Sequence, residues 1–146
     1  MDDYVFSSEE DKYILKFNKL YINPRKNKQI VNAGIIKCPP KSEFAKYCYN
    51  TCLKKKKNNN LKWGLGPKIV KLGIIKYNFK KYIKPYYYFC PIDYRDVINI
   101  NTKKKININT NWYCIHLWNE CWKRNNIDKE NVEIDSLYDK LNNLYK

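Results

Sequence analysis

The chain has 146 residues, which is enough for one domain or for part of one. Its 29 Lys and Arg residues exceed its 14 Asp and Glu residues, and the net charge of +15 would attract a polyanion such as nucleic acid, an acidic membrane surface or a nucleotide diphosphate. The content of 44% hydrophobic residues excludes a disordered chain, and the absence of any apolar run of roughly 18 residues excludes a transmembrane helix.

The first third of the chain contains two strand signals. Residues 4–6 (Tyr-Val-Phe) are apolar and predict a short strand, whereas residues 7–10 (Ser-Ser-Glu-Glu) predict a loop or the start of a helix. The apolar residues within 13–22 do not decide between helix and strand. Residues 29–38 predict a buried strand, and its interruption by Asn32-Ala33-Gly34 is typical of a bulge or of a close backbone approach.

Two helices are expected next. Ser42 is a typical cap for a helix at residues 43–55, and the lysines at 54–57 suit the negative end of its dipole. The sequence Trp63-Gly64-Leu65-Gly66-Pro67 predicts the start of a second helix, with Pro67 at the first helical position. The backbone amides of such a start can bind an anion such as a diphosphate, but an ordinary Gly-Pro helix start explains the pattern equally well.

The second half contains two more apolar segments and a helix. Residues 86–90 and 112–117 each predict a buried strand, and the polar residues 93–111 connect them. Residues 132–145 carry apolar side chains at helical spacing, which predicts an amphipathic helix that packs on the rest of the chain through one face.

The second of these strands contains His116, which is the only histidine in the chain. Burying an imidazole without a partner costs about 1–3 kcal/mol, so His116 requires a hydrogen bond, a metal ion or a phosphate. A core histidine that is satisfied by a protein group is the simplest explanation. A ligand-binding histidine is the alternative.

Six cysteines are distributed along the chain without any C-x-x-C pair, and the beginning of the chain does not resemble a secretory leader. Reduced thiols in a cytoplasmic protein are therefore expected. A zinc site is the less favoured alternative, and its ligands would be Cys48, Cys52, His116 and Cys121.

Four short motifs, taken in order, resemble those of glycosyltransferase family 32. The family includes α1,4-galactosyltransferases and α1,4-N-acetylglucosaminyltransferases, and it is similar to bacterial capsular polysaccharide transferases. The motifs are Val31-Asn32-Ala33-Gly34-Ile35, Trp63-Gly64-Leu65-Gly66-Pro67, Phe89-Cys90-Pro91-Ile92 and Tyr113-Cys114-Ile115-His116-Leu117-Trp118-Asn119. The resemblance extends from about residue 4 to residue 122.

The resemblance implies an α/β fold of the GT-A-like, nucleotide-diphospho-sugar transferase kind. In such a partial domain the strands of Asn32 and His116 would belong to one mixed sheet, flanked by the helices that begin at Ser42 and Pro67. The implied reaction is transfer of a sugar, with retention of configuration, from a nucleotide-sugar donor such as a UDP-sugar to a glycan or lipid-linked acceptor. A divalent cation, Mn²⁺ or Mg²⁺, would assist.

The resemblance also implies a set of donor-binding residues, with His116 facing the metal and the diphosphate. No catalytic residue is assigned, since the matched motifs supply no convincing carboxylate. The expected donor-binding residues are Asn32, Gly34, Gly66, Pro67, His116, Trp118 and Asn119.

The family holds its cation with a D-x-D motif that should precede the Asn32 motif by some tens of residues. The acidic pair nearest to that place, Asp2-Asp3, has the wrong spacing. Residues 1–146 are therefore expected to form a single domain or the C-terminal half of a transferase domain, weak or inactive alone, with a missing N-terminal half as partner. The less favoured alternative is a protein without catalysis that binds nucleic acid through the basic, aromatic residues 76–88.

Overall fold

The computed structural model describes residues 3–10, 13–16, 19–22, 29–62, 64–104, 106 and 111–145. In these ranges the chain is a small protein of mixed α and β structure. Its strands are β1 (Val5–Glu10), β2 (Tyr13–Lys16), β3 (Lys19–Ile22) and β4 (Gln29–Lys37). Its α-helices are α1 (Glu43–Lys57), α2 (Leu65–Lys76), α3 (Asn119–Arg124) and α4 (Leu137–Leu144), and short 3₁₀ helices occupy Lys80–Tyr82, Tyr86–Tyr88 and Val97–Asn101. Within the described ranges, no helix has the length and apolar character that crossing a membrane requires.

Strands β1 and β4 form an antiparallel pair with an irregular centre. Phe6 pairs with Ile36, but Ser8 pairs with Val31, so the residues of β4 between these partners bulge opposite Ser7. The predicted strand at residues 29–38 and its interruption at Asn32 are thereby confirmed. The predicted burial of this strand is wrong, because Ile30, Ile35 and Ile36 are 38%, 39% and 41% exposed and its buried residue is Asn32. In the segment 13–22, which the sequence left undecided, β2 and β3 form a separate antiparallel pair.

The first hydrophobic cluster lies between this strand pair and the first two helices. It consists of Phe6, Phe44, Val70 and Ile74, all at most 4% exposed. Helix α1 begins where the sequence predicts, because the Ser42 hydroxyl accepts a hydrogen bond from the amide of Ala45 at 3.1 Å. An isolated parallel bridge between Phe6 and Ile83 joins the segment after α2 to the same strand.

The second hydrophobic cluster is built from the C-terminal part of the chain. Ile92, Val97, Ile100, Trp122 and Leu137 form it, and Trp122 is only 1% exposed. Helix α4 contributes its first residue, Leu137, to this cluster. The helix begins there and not at the predicted position 132. The side chain of Ser136 fixes that beginning by accepting a hydrogen bond from the amide of Asp139.

The two predicted strands of the second half are wrong. Residues 86–88 form a 3₁₀ helix, and residues 112–118 are irregular. The amides of Tyr113 and Cys114 both donate to one carbonyl, that of Tyr88, at 2.8 and 3.3 Å. The two segments therefore meet at one point and do not pair as strands. Tyr113 is 74% exposed, so the apolar pattern of residues 112–117 did not indicate a buried segment. The mixed sheet expected to hold both Asn32 and His116 is wrong for the same reason.

Two expectations for shorter segments are also wrong. Residues 7–10 belong to β1, whose Ser8, Glu9 and Glu10 pair with β4. Ser7 and Ser8 are fully buried, and their hydroxyls donate within the sheet to the carbonyl of Ile35 and to Oε1 of Gln29. Helix α2 begins at Leu65, so Pro67 is its third residue and not its first. Proline is still tolerated there, because the first four amides of a helix have no partner within it.

Gly73 provides a test of the packing between α1 and α2. A Cβ atom at this position would lie 2.8 Å from Cε2 of Phe44 and 3.2 Å from Cδ1 of Tyr47. Overpacking of about 1–3 kcal/mol should outweigh the helix propensity of about 1 kcal/mol that alanine gains over glycine. We expect Gly73→Ala to lower the free energy of unfolding in urea.

Gly66→Ala is the matched control, since its Cβ atom would meet only the Cβ atom of Ala33, at an ordinary 3.7 Å. This variant should leave stability unchanged or raise it slightly. Equal effects of the two changes would contradict the described packing of Phe44 on α2.

Candidate functional site

Asn32 lies in the bulge of β4 and is only 8% exposed. Its Oδ1 atom accepts hydrogen bonds from the hydroxyl of Ser7 and from the amide of Gly34, the latter at 3.1 Å. Its Nδ2 atom donates to the sulfur of Cys90 at 3.3 Å. The side chain thus holds the bulge closed and ties β4 to the Cys90 segment, and this structural role accounts for an asparagine here.

The thiol of Cys90 is protonated in this environment. Burial raises its pKa to about 11, and the hydrogen bond from Asn32 opposes that increase only in part. A thiol with such a pKa is a poor nucleophile near neutral pH, since the thiolate is the reactive form. All six cysteines, including Cys90, are free in the structure.

The glycines expected at the donor site flank the same bulge. Gly66, in the first turn of α2, lies against Ala33, which stands between Asn32 and Gly34. The left-handed residue at this helix start is Gly64, with φ of 79°, and it caps α2. The first turn of α2 is therefore adjacent to the Asn32 bulge.

His116, Trp118 and Asn119 form a second group. The amide of Trp118 donates to Nδ1 of His116 at 3.0 Å, and the two rings are 4.1 Å apart. Trp118 has φ of 49°, and its indole Nε1 donates to the carbonyl of Ile92 at 2.7 Å. The Oδ1 atom of Asn119 accepts a hydrogen bond from Lys129. This local network fixes the position of the Trp118 indole.

The hydrogen bond from the Trp118 amide to Nδ1 restricts the chemistry of His116. A neutral imidazole that accepts at Nδ1 carries its proton on Nε2 and has no lone pair left for a metal ion. No group of three or more His, Cys, Asp or Glu residues in the described ranges has the arrangement of a metal site. The described residues do not fit the divalent cation that the resemblance implies, and we derive no reaction step through it.

Trp118 lines a cleft of about 210 Å³. The cleft lies between the end of β1, the beginning of β4 and the loop that follows Cys90. Ligand pockets for drug-sized molecules measure roughly 300–1,000 Å³, so this cleft accommodates a group near the size of one sugar ring. The residues that line it are Glu9, Glu10, Ile30, Cys90, Ile92, Asp93, Tyr94, Arg95 and Trp118.

The cleft combines aromatic rings with charged groups. The side chain of Asp93 is 4% exposed, and its Oδ1 atom accepts from the amide of Arg95 at 2.8 Å and lies 3.7 Å from the guanidinium. The guanidinium also lies over the ring of Tyr94, 4.2 Å from its centroid. Sequence reasoning missed these three residues, although they directly follow the recognised Phe89–Ile92 motif, and that adjacency was the available signal.

The structure brings some of the predicted site residues together and leaves others apart. Trp118 lines the cleft, and Asn32 reaches its wall through Cys90. Among the described residues, Ala33 is the neighbour that a Cβ atom at Gly66 would meet within 4 Å, so His116 does not contact this position. The donor-site assignment of Gly34, Gly66, Pro67, His116 and Asn119 stays a prediction.

Comparisons of the chain with protein-family models, with curated proteins and with solved structures give no match.

The single histidine allows a direct test of the His116–Trp118 pair. Desolvation lowers the pKa of His116 below its ordinary value of 6.5. The neutral form is favoured in the folded state, so this group's contribution to stability is present above pH 6.5 and is lost as the pH falls through the lower pKa of the folded state. We expect one imidazole titration by NMR, with a midpoint below 6.5.

Trp118→Ala removes the ring that shields the imidazole, and the pKa of His116 should then rise toward its ordinary value. Tyr113→Ala, which removes a ring that is 74% exposed in the same segment, should leave the titration unchanged. A wild-type midpoint at or above 6.5 would contradict the described shielding of His116.

Proposed function

We propose that this chain is the sugar-binding portion of a glycosyltransferase of the family 32 kind. In this proposal it belongs to a partial GT-A-like domain of a retaining transferase that acts in the cytoplasm. The donor is a nucleotide sugar, with a UDP-sugar favoured, and the acceptor is a glycan or a lipid-linked sugar. The chain binds one sugar ring in the Trp118 cleft.

The observation that carries the proposal is the contact chain through all four recognised motifs. Gly66 of the second motif lies against Ala33 of the first. Asn32 of the first donates to Cys90 of the third, and Trp118 of the fourth donates to Ile92 of the third. Four motifs that are distant in sequence therefore form one connected set, as the parts of a common site would.

The chemistry of the Trp118 cleft supports a sugar more than a phosphate. An indole offers an apolar face to the C–H groups of a pyranose ring, while carboxylates and a guanidinium make charge-assisted hydrogen bonds to hydroxyl groups. Among the described residues, the charged groups that line the cleft are Glu9, Glu10, Asp93 and Arg95. The cleft is smaller than the pockets that hold drug-sized molecules, so the nucleotide part of the donor requires groups outside it.

The isolated chain should therefore bind sugar weakly and transfer it poorly. The described residues do not supply a fitting set of ligands for a divalent cation, and the cleft is too small for a whole nucleotide sugar. A partner half that carries the D-x-D carboxylates would contribute both the cation and the nucleotide contacts. Adding such a half in trans or as a fusion should restore transfer.

Binding of the sugar ring can be observed directly by saturation-transfer difference NMR with UDP-glucose, UDP-galactose and UDP. We expect the saturation to reach the hexose protons more strongly than the uracil protons, with little dependence on Mn²⁺. Trp118→Ala should abolish the hexose signal, because it removes the stacking face. Transfer and hydrolysis by residues 1–146 should be at or near background.

Two further variants separate stacking from positioning. Trp118→Phe keeps an aromatic face but loses the indole hydrogen bond to the carbonyl of Ile92. Partial retention of the hexose signal in this variant would indicate that the sugar stacks on the ring. Tyr113→Ala, an exposed ring outside the cleft, should retain the full signal. Absence of hexose contacts in the wild type, or contacts that survive Trp118→Ala, would refute the proposed cleft, and robust transfer by the isolated chain would refute its dependence on a partner.

A further inference from the structure

Positive charge is concentrated in one stretch of this chain. Residues 41–84 contain thirteen lysines and a single carboxylate, that of Glu43, whereas the remaining residues contain 16 basic and 13 acidic side chains. The stretch comprises α1, α2 and the segments around them. The lysines at 54–57 complement the negative end of the α1 dipole, but this effect is limited to the last turn and does not explain the lysines elsewhere.

Helix α2 is apolar on two sides. Its inner side packs in the core through Ile69, Val70, Gly73 and Ile74. On its outer side, Lys68, Lys71, Leu72 and Ile75 are spaced i, i+3, i+4 and i+7 and so form one stripe, which we call the outer face of α2. Leu72 is 45% exposed and Ile75 is 54% exposed.

Further lysines adjoin this outer face. A groove of about 350 Å³ at the beginning of α2 is lined by Lys55, Lys62 and Lys68, together with Asn60, Gly64 and Leu65. Leu61, which directly precedes Lys62, is 60% exposed. The surface therefore presents aliphatic side chains within a field of lysines. The single carboxylate of residues 41–84, that of Glu43, lies at the beginning of α1 and near the end of α2, where the hydroxyl of Tyr77 donates to the carbonyl of Glu43.

Two anionic partners fit the charge, and the aliphatic side chains distinguish them. A phosphate backbone requires only the lysines, whereas a lipid bilayer also gives Leu72 and Ile75 an apolar phase to enter. Recognition of single-stranded nucleic acid further requires aromatic faces on which bases stack. On the nearby groove between α1 and α2, the ammonium of Lys76 lies 4.7 Å from the centroid of Tyr47 and 5.1 Å from that of Tyr77, so these rings are already covered.

We propose that the outer face of α2, with Lys55 and Lys62 beside it, docks this protein on the surface of an anionic lipid bilayer. Leu72 and Ile75 enter the boundary between the headgroups and the acyl chains, and the lysines meet the negative headgroups. Helix α2 has 12 residues and lies parallel to the membrane without crossing it. This inference does not depend on the sugar cleft.

Cosedimentation with vesicles tests the proposal, using phosphatidylcholine with and without phosphatidylserine. We expect binding that requires phosphatidylserine and weakens as salt is added. The change Lys68→Gln with Lys71→Gln should lower the partition coefficient about 25-fold, which corresponds to about 1 kcal/mol for each lysine. The change Leu72→Ser with Ile75→Ser should lower it roughly tenfold or more.

Matched controls use exposed residues outside this face. Ile98→Ser with Ile134→Ser alters aliphatic side chains that are 51% and 75% exposed, and it should leave vesicle binding unchanged. Lys103→Gln with Lys104→Gln removes the same charge as the α2 variant and should have a much smaller effect. Circular dichroism of each variant verifies folding.

Three outcomes would overturn the proposal. The first is no binding to either kind of vesicle. The second is an equal loss of vesicle binding in the Leu72→Ser, Ile75→Ser variant and in the control variant Ile98→Ser, Ile134→Ser. The third is displacement from vesicles by an oligothymidylate that binds the Leu72→Ser, Ile75→Ser variant as tightly as the wild type. That result would assign the outer face of α2 to nucleic acid.

Discussion

A buried polar network in the irregular centre of the β1–β4 pair determines the rest of this structure. Ser7, Ser8 and Asn32 are at most 8% exposed, so each would destabilise the fold if its polar atoms lacked partners. The hydroxyl of Ser8 donates a hydrogen bond to the carbonyl of Lys84 at 2.7 Å, and the hydroxyl of Ser7 accepts one from the amide of Ile35 at 2.8 Å. Loss of one such partner typically costs about 1–3 kcal/mol, which is a substantial part of the stability of a small domain.

The network also positions the candidate site. The amide of Asn32 holds Cys90, and two residues later the carbonyl of Ile92 accepts the indole N–H of Trp118. The aromatic wall of the cleft is thus attached to the strand pair through two successive hydrogen bonds. The resemblance implies that Asn32 contacts the donor, which stays a prediction, and its hydrogen bond to Cys90 shows that Asn32 also fixes the wall of the cleft.

Local signals predicted the elements whose causes are local. The Ser42 cap and helical spacing predicted α1, and the Asn32–Gly34 interruption predicted the bulge in β4. The segments 86–90 and 112–117 were mispredicted as strands, because their aromatic residues satisfy strand propensity. In the structure the amides of residues 88–90 bond within their own turn, and the amides of Tyr113 and Cys114 bond to the carbonyl of Tyr88 in that turn. The only sequence signal for the cleft residues Asp93 and Arg95 was their adjacency to the Phe89–Ile92 motif, since their proximity to Trp118 arises from the tertiary arrangement.

Strand β4 connects the two proposed surfaces. Ile30 lines the cleft and Ala33 contacts Gly66, so about 10 Å of strand separates the cleft from the beginning of α2. The outer face of α2 begins two residues later, at Lys68, and extends for about 10 Å along the helix to Ile75. The cleft is lined by three carboxylates, an arginine and apolar or aromatic side chains, whereas the outer face of α2 carries lysines. The short span between them suits a sugar acceptor whose lipid anchor remains in the bilayer.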